Sequence, residues 1–152
     1  MAFLKGSDVI SGKEGRAYVI VGNNQEELFY VKTIEATIEK NKAEIKALGR
    51  TGTQYKATGW NGTGSMTIYY MTSLFRKMML EYVNQSKDVY FDLFIINEDP
   101  ASSTGMQSVT LKNVNLDSVI IGKLDVDSDG LEEEVSFTFE GVEWGTDFST
   151  PQ

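Results

Sequence analysis

Three aspartates at alternate positions, Asp125, Asp127 and Asp129, followed by Gly130 within KLDVDSDGLEEE, are the residues here whose types and spacing most invite chemistry. They match the first, third, fifth and sixth places of an EF-hand loop, where oxygen ligands and a tight-turn glycine hold calcium. The twelfth place, which needs a bidentate glutamate, is Ser136. An EF-hand loop also joins two helices, whereas Val135, Phe137 and Phe139 alternate with Ser136, Thr138 and Glu140, the period of a half-buried strand. Ahead of the loop, Val119, Ile120 and Ile121 form a β-branched run. The segment therefore reads as a hairpin turning at Asp129-Gly130, a pair that tolerates positive φ, with a solvated acidic loop in place of a metal site.

Other reactive groups are missing. The 152 residues contain neither Cys nor His, which removes thiol nucleophiles, imidazole bases, Ser-His-Asp triads and nearly all zinc chemistry. A catalytic carboxylate pair needs a pocket that drives two pKa values apart, and the acids here fall in turns and on strand faces. GTGSM, at Gly62 to Met66, lacks the Gly-Lys-Ser/Thr ending of a phosphate loop. The expectation is a protein that is not an enzyme and uses no cofactor.

Charge excludes a further class and adds a clue. A net charge of -8 opposes a primary nucleic-acid binder, which needs a basic surface to neutralise phosphates. The charge is divided, however. Lys40, Lys42, Lys46, Arg50 and Lys56 make one segment basic, while Asp125 to Glu134 is strongly acidic. The N-terminus lacks an export signal and no apolar run approaches ~20 residues, so a cytoplasmic protein without a membrane span is expected.

The elements that must position these residues follow from periodicity. Residues 1–15 read as an arm, Arg16 to Val21 as a strand closed by a turn at Gly22-Asn23-Asn24. Residues 28–50 admit two readings. Helix formers and Gly49 suit a helix; the alternation of Leu28, Tyr30, Ile34, Ala36 and Ile38 with Thr33, Glu35, Thr37 and Glu39 suits strands, with a turn at Lys40-Asn41-Lys42. The glycine-rich stretch that follows reads as a flexible loop with a hairpin signal at Asn61-Gly62, ending in a strand at Met66, Ile68 and Tyr70. Residues 73–84 form the clear helix, with an apolar stripe of Leu74, Phe75, Met78, Met79, Tyr82 and Val83 and a cap at Thr72 or Ser73. Val89 to Asn97 and Ser108 to Leu116 are strand-like, and residues 145–152 form a tail without pattern. The sum is a mainly β (α+β) antiparallel domain over 16–144, with roughly seven strands or more and one helix.

GKEGRAYVIV, ELFYVKTIEATIEKNKAEIKALGRTGTQYKATGWNGTGSMTIYY and TSLFRKMMLEY, taken in order, resemble the tail tube proteins of contractile-tailed phages over nearly the whole chain. The resemblance implies a β-sandwich or barrel with a flanking helix that assembles into hexameric rings, stacked as a tube inside a contractile sheath. It implies strands for residues 28–48, and partners in copies of itself, the sheath, a baseplate initiator and a tape-measure protein. DNA would pass without specific binding. Assembly in the bacterial host's cytoplasm and residence in the particle's tail follow.

Under that reading Glu35, Thr37 and Glu39 are expected to face the lumen, with Ser136, Thr138 and Glu140 as weaker candidates. Lys40, Lys42, Lys46 and Arg50 are expected to meet Asp125, Asp127, Asp129 and Glu133 of the next ring. Two other classes compete. One is a soluble β-barrel holding a small ligand or partner, with the glycine-rich loop as its mouth. The other is a nucleic-acid binder stacking bases on Tyr55, Trp60 and Tyr69.

Overall fold

The computed structural model describes residues 5–8, 15–28, 31–103 and 105–146. Eight strands and one α-helix follow a short 3-10 turn at Gly6–Asp8: β1 (Gly15–Val21), β2 (Asn24–Glu27), β3 (Val31–Ile45), β4 (Gln54–Tyr69), α1 (Leu74–Gln85), β5 (Phe91–Glu98), β6 (Met106–Ser118), β7 (Glu132–Phe139) and β8 (Gly141–Thr146). All pairings are antiparallel, in the order β2-β1-β5-β6-β7-β4-β3, with β8 also on β6. The expected mainly β domain with one helix is what forms.

Strand β6 serves two groups of strands. Its first part pairs with β5 as far as Val114 and with β8 over Ser108–Lys112; its last part, Asn115–Ser118, pairs with β7. The change falls at Asn113, whose positive φ of 53° turns the strand. One core results: Ala17, Val19, Leu93, Leu111 and Val114 from one group meet Met66, Ile68, Val135, Phe137 and Phe139 from the other. Helix α1 adds Phe75 and Met78, with the Phe75 ring 6.2 Å from that of Phe91.

Several expectations are corrected. Lys40-Asn41-Lys42 is no turn: β3 runs through it as one strand, absorbing the irregularity as a register shift between Asn41 and Lys42. The chain reverses at 46–53, where Gly49 takes a φ of 83°. Asn61-Gly62 is likewise inside β4, not at a hairpin turn. A Cβ on Gly62 would lie 2.5 Å from the Phe139 ring, and one on Gly64 would lie 2.5 Å from that of Phe137. These two glycines therefore make room for aromatic rings on the neighbouring strand.

The acidic segment is not a tight hairpin, since residues 119–131 all lie outside strands and Val119–Ile121 does not continue β6. On α1, Tyr82 and Val83 are exposed, so the buried stripe is narrower than the sequence suggests. Ser73 is the N-cap residue but makes no side-chain cap bond; the Leu74 N–H donates to Thr72 Oγ1 at 3.2 Å instead. Gly145 and Thr146, assigned to the tail, belong to β8, while the rest of the tail lies outside the described residues. Of the arm, 1–4 and 9–14 also lie outside them.

Candidate functional site

Side chains alternate across a strand, so register alone decides which residues share a face. In β3, Thr33, Glu35, Thr37 and Glu39 lie opposite Thr67, Ser65, Thr63 and Asn61 of β4. Across β4, Thr67, Ser65 and Thr63 lie opposite Glu134, Ser136 and Thr138 of β7, and Thr138 lies opposite Asn115 of β6. Two separated runs of candidates, Glu35, Thr37, Glu39 and Ser136, Thr138, thus fall on one polar face four strands wide. Glu140 falls just past the ladder, at the bend between β7 and β8, and accepts a hydrogen bond from Asn113 Nδ2 at 3.3 Å.

Sequence reasoning missed the middle of that face. Thr63, Ser65 and Thr67 sit in the stretch read as a flexible loop, although their spacing of two was visible. Lys32 spans the face at one end, its ammonium 2.8 Å from Glu132 on β7. The hydrogen bond to that carboxylate raises the Lys32 pKa above the ordinary lysine value. The reverse face is apolar: Ile34, Met66 and Val135 align, then Ala36, Gly64 and Phe137, then Ile38, Gly62 and Phe139.

Among the described residues, β3 ends the strand order, so its outer edge has no strand partner along 15 residues. Pairing of β4 with β7 stops at Gly62, yet β3 and β4 continue together to Ile45 and Gln54. The hairpin therefore projects past the rest of the sheet by roughly 23 Å. Its apolar side chains are uncovered: Ile45 is 43 % exposed, Tyr55 60 % and Leu48 completely. Long, bare edges of this kind are sites of strand addition.

The charged candidates separate to opposite ends. Lys40, Lys42, Lys46 and Arg50 are exposed on the projecting hairpin. Asp125, Asp127 and Asp129 are exposed in the loop before β7, whose first residue pairs with Tyr69, the end of β4 away from the hairpin tip. That loop is shaped internally. The Asp127 N–H donates to Asp125 Oδ1 at 3.0 Å, and Ser128 Oγ donates to the Gly130 carbonyl at 2.8 Å. Gly130 is not among the positive-φ glycines, and no cluster of potential metal ligands occurs among the described residues.

Glu133 does not belong with them. Its side chain is 1 % exposed and accepts a 2.5 Å hydrogen bond from Arg76 Nη1 on α1. Arg76 also donates to the Thr72 carbonyl and stacks 4.3 Å over the Tyr70 ring. A buried, paired carboxylate offers nothing to another ring. Among the described residues its other oxygen, Oε1, has no hydrogen-bond partner.

The competing readings lose their footing. The glycine-rich mouth required for a ligand-holding barrel is strand β4. Trp60 and Tyr69 project from opposite faces of that strand, Trp60 toward Phe139 at 6.2 Å and Tyr69 beside Thr67 and Ser65 in parity, so they cannot form one stacking platform. Among the described residues, no helix is long and apolar enough to cross a membrane.

The fold is thus a β domain whose long sheet has one polar and one apolar face and, among the described residues, an unpaired edge at β3. Residues 2–145 match the family of phage tail tube proteins, and the chain belongs to that family. It is 47 % identical over 149 residues to the phage-like element PBSX protein XkdM of Bacillus subtilis (strain 168), covering 98 % of this chain and 95 % of that protein. The structure matches a chain of the extracellular contractile injection system PVC sheath-tube complex, with a TM-score of 0.62, 14 % identity and coverage of 86 % and 88 %. It also matches the SPP1 tail tube, with a TM-score of 0.64, 10 % identity and coverage of 93 % and 82 %. At those identities the structural likeness is one of fold.

Proposed function

We propose that this chain is the repeating subunit of the inner tail tube of a contractile phage or phage-like particle, forming hexameric rings that stack around a channel for DNA or effectors. The observation that carries the reading is the open border of β3. A 15-residue strand edge with exposed apolar neighbours is an aggregation hazard on a solitary molecule, and ring closure removes the hazard by giving every edge a partner. Head-to-tail stacking of rings is open-ended and yields a fibre. The sheath, a baseplate initiator and a tape-measure protein are its expected partners; the likeness to a chain of the PVC sheath-tube complex supports the first.

The polar face of Glu35, Thr37 and Glu39 with Ser136 and Thr138 is the surface assigned to the lumen, now joined by Thr63, Ser65, Thr67 and Glu134. Helix α1 packs on the reverse face and so falls outside the bore. DNA carries a negative charge every ~1.7 Å and the screening length at physiological salt is ~8 Å, so carboxylates lining a bore discourage adhesion along its length. Between rings, the basic hairpin and the acidic loop are the assigned meeting surfaces. Each exposed pair contributes under ~1 kcal/mol, but a ring repeats it at every subunit.

Electron microscopy of concentrated protein, with initiating complexes supplied, tests the assembly. Tubes that shorten in high salt are expected, and tubes indifferent to salt would remove the charged stacking contact. A bulky thiol label tests the face: Glu35→Cys should react in the monomer and be shielded in the tube. Equal reaction in both would rule out a luminal Glu35.

A further inference from the structure

Asn61-Gly62 is the one asparagine-glycine pair in the sequence, and the fold holds it inside β4 instead of at a turn. Such a pair is reactive in its own right. An asparagine side chain closes most readily on the next backbone nitrogen when that residue is glycine, because no Cβ shields the nitrogen. Here the glycine is obligatory, since a Cβ on residue 62 would lie 2.5 Å from the Phe139 ring. The packing of Phe139 therefore leaves Asn61 beside an unshielded amide.

The pair also stands on a boundary. Gly62 is buried, with Ile38 of β3 on one side and Phe139 of β7 on the other. Asn61 is exposed and lies opposite Glu39 of β3, and among the described residues it has no partner on β7. The peptide bond between them is the seam joining the three-stranded part of β4 to the two-stranded hairpin. While the strand holds, an extended backbone with ψ near about +135° keeps the Gly62 nitrogen in its ladder and out of reach of the Asn61 side chain. A two-stranded ribbon is marginal in water, so opening of the hairpin reaches this seam without unfolding the core.

We propose that Asn61 is a site of spontaneous self-modification, latent in the paired strand and released when the hairpin opens. In the open form the Gly62 nitrogen bonds to Asn61 Cγ, the Cγ–Nδ2 bond breaks, and the proton shed by the Gly62 amide leaves with Nδ2 as ammonia. A succinimide ring remains. Water then opens the ring at either carbonyl: attack at Cγ gives aspartate, and attack at the main-chain carbonyl gives isoaspartate, whose backbone runs through the former side chain. Aspartate sets a second carboxylate opposite Glu39, a like-charge pair across the strands. Isoaspartate adds an atom to the main chain and puts residues 54–60 out of step with β3. Either product loosens the hairpin, so the modification marks subunits whose hairpin has stood open.

The full-length monomer, incubated at mildly alkaline pH in its native state and in urea, provides the test. Peptide mass spectrometry follows the change from amide to acid at Asn61, and chromatography separates aspartate from isoaspartate. Conversion should be slower in the native monomer than in urea by roughly tenfold or more, and by the same factor, within about threefold, as the Gly62 amide is protected from hydrogen exchange. That amide should exchange roughly tenfold or more faster than the amide of Ile68, which is fully buried farther along β4. Asn61→Asp, which installs one of the two products, should speed exchange across residues 54–60 by roughly threefold or more and leave Ile68 unchanged. A Gly62 amide as slow as that of Ile68 would overturn the site, because the seam would then open only with the core. Conversion as fast in the native monomer as in urea would overturn the latency, and an Asn61→Asp hairpin no looser than wild type would overturn the consequence. Should Asn61→Asp fail to fold, the wild-type rates decide. Every readout is on the monomer, so a chain that forms no tubes leaves the site standing.

Discussion

Strand β4 is two structures in one. From Gly62 to Tyr69 it lies between β3 and β7, and Gly62, Met66 and Ile68 are buried. From Gln54 to Asn61 its partner among the described residues is β3 alone, and every residue but Gln54 is exposed. The same chain direction, the same partner strand and similar side chains thus give a core on one side of Gly62 and a bare ribbon on the other. An isolated two-stranded ribbon is marginal in water. The inner half is specified by this molecule's own core, and under the proposed tube assembly a neighbouring copy would cover the outer half.

The largest effect on folding should come from the inner half. Phe137 is fully buried, and its ring fills the space that Gly64 leaves open on β4. Phe137→Ala removes the ring without letting the glycine opposite close the gap, so a loss of about 3–5 kcal/mol is expected. Denaturant titration of the monomer measures it. A loss below about 1 kcal/mol would mean that the inner half is not the stabilising part, and the contrast would fail.

A smaller effect is expected where the inner half meets α1. Arg76→Met strands the Glu133 carboxylate, already short of one partner, in a buried position. The expected cost is about 2–3 kcal/mol, below the range for a fully enclosed pair because Arg76 retains 12 % exposure. Exchanging both members, Arg76→Met with Glu133→Leu, should recover most of the loss, since an apolar pair carries no desolvation cost. Thermal melts of the single and double variants check it. A double variant as weak as the single one would show that the ion pair, and not the stranded charge, sets the balance.

How much of this was legible in the sequence differs between the same two regions. The helix, β5 and the alternation of β7 were readable because each element's pattern is complete within itself. One flank of the polar face, Ser136 and Thr138, was readable for the same reason; the other, Glu35 to Glu39, alternates within a stretch that also admitted a helix, and only the family resemblance decided for strands there. The middle of the face was not readable, because Gly62 and Gly64 announce a loop until one knows that Phe139 and Phe137 lie across from them. That complementarity exists between strands some 75 residues apart and has no local signature. Glu133 is a different kind of miss. It shares the parity of Val135, Phe137 and Phe139, so alternation already placed it on the buried face, and its sign drew attention to the wrong surface. Lys40-Asn41-Lys42 looked like a turn because reversals favour such residues, but a strand with only one neighbour can carry them as a bulge.

The smallest effect on the free subunit is expected in the outer half, and it sharpens the contrast most. Leu48 touches nothing in the monomer, standing completely exposed at the hairpin tip. Leu48→Ser should therefore leave monomer stability within about 0.5 kcal/mol, the ordinary range for surface substitutions. If the outer half exists to be covered by another copy, the same change should weaken assembly, because an apolar anchor at an interface is worth most where water is excluded. The measurement is a pair: a denaturation midpoint for the monomer and a critical concentration for tube growth. An unmoved midpoint with a raised critical concentration separates the two halves of β4 by function. If both stay put, Leu48 is a bystander and the hairpin's contact lies elsewhere along it, at Ile45 or Tyr55. If the midpoint falls as well, the outer half contributes to the subunit's own fold, and the division at Gly62 is not the one that matters.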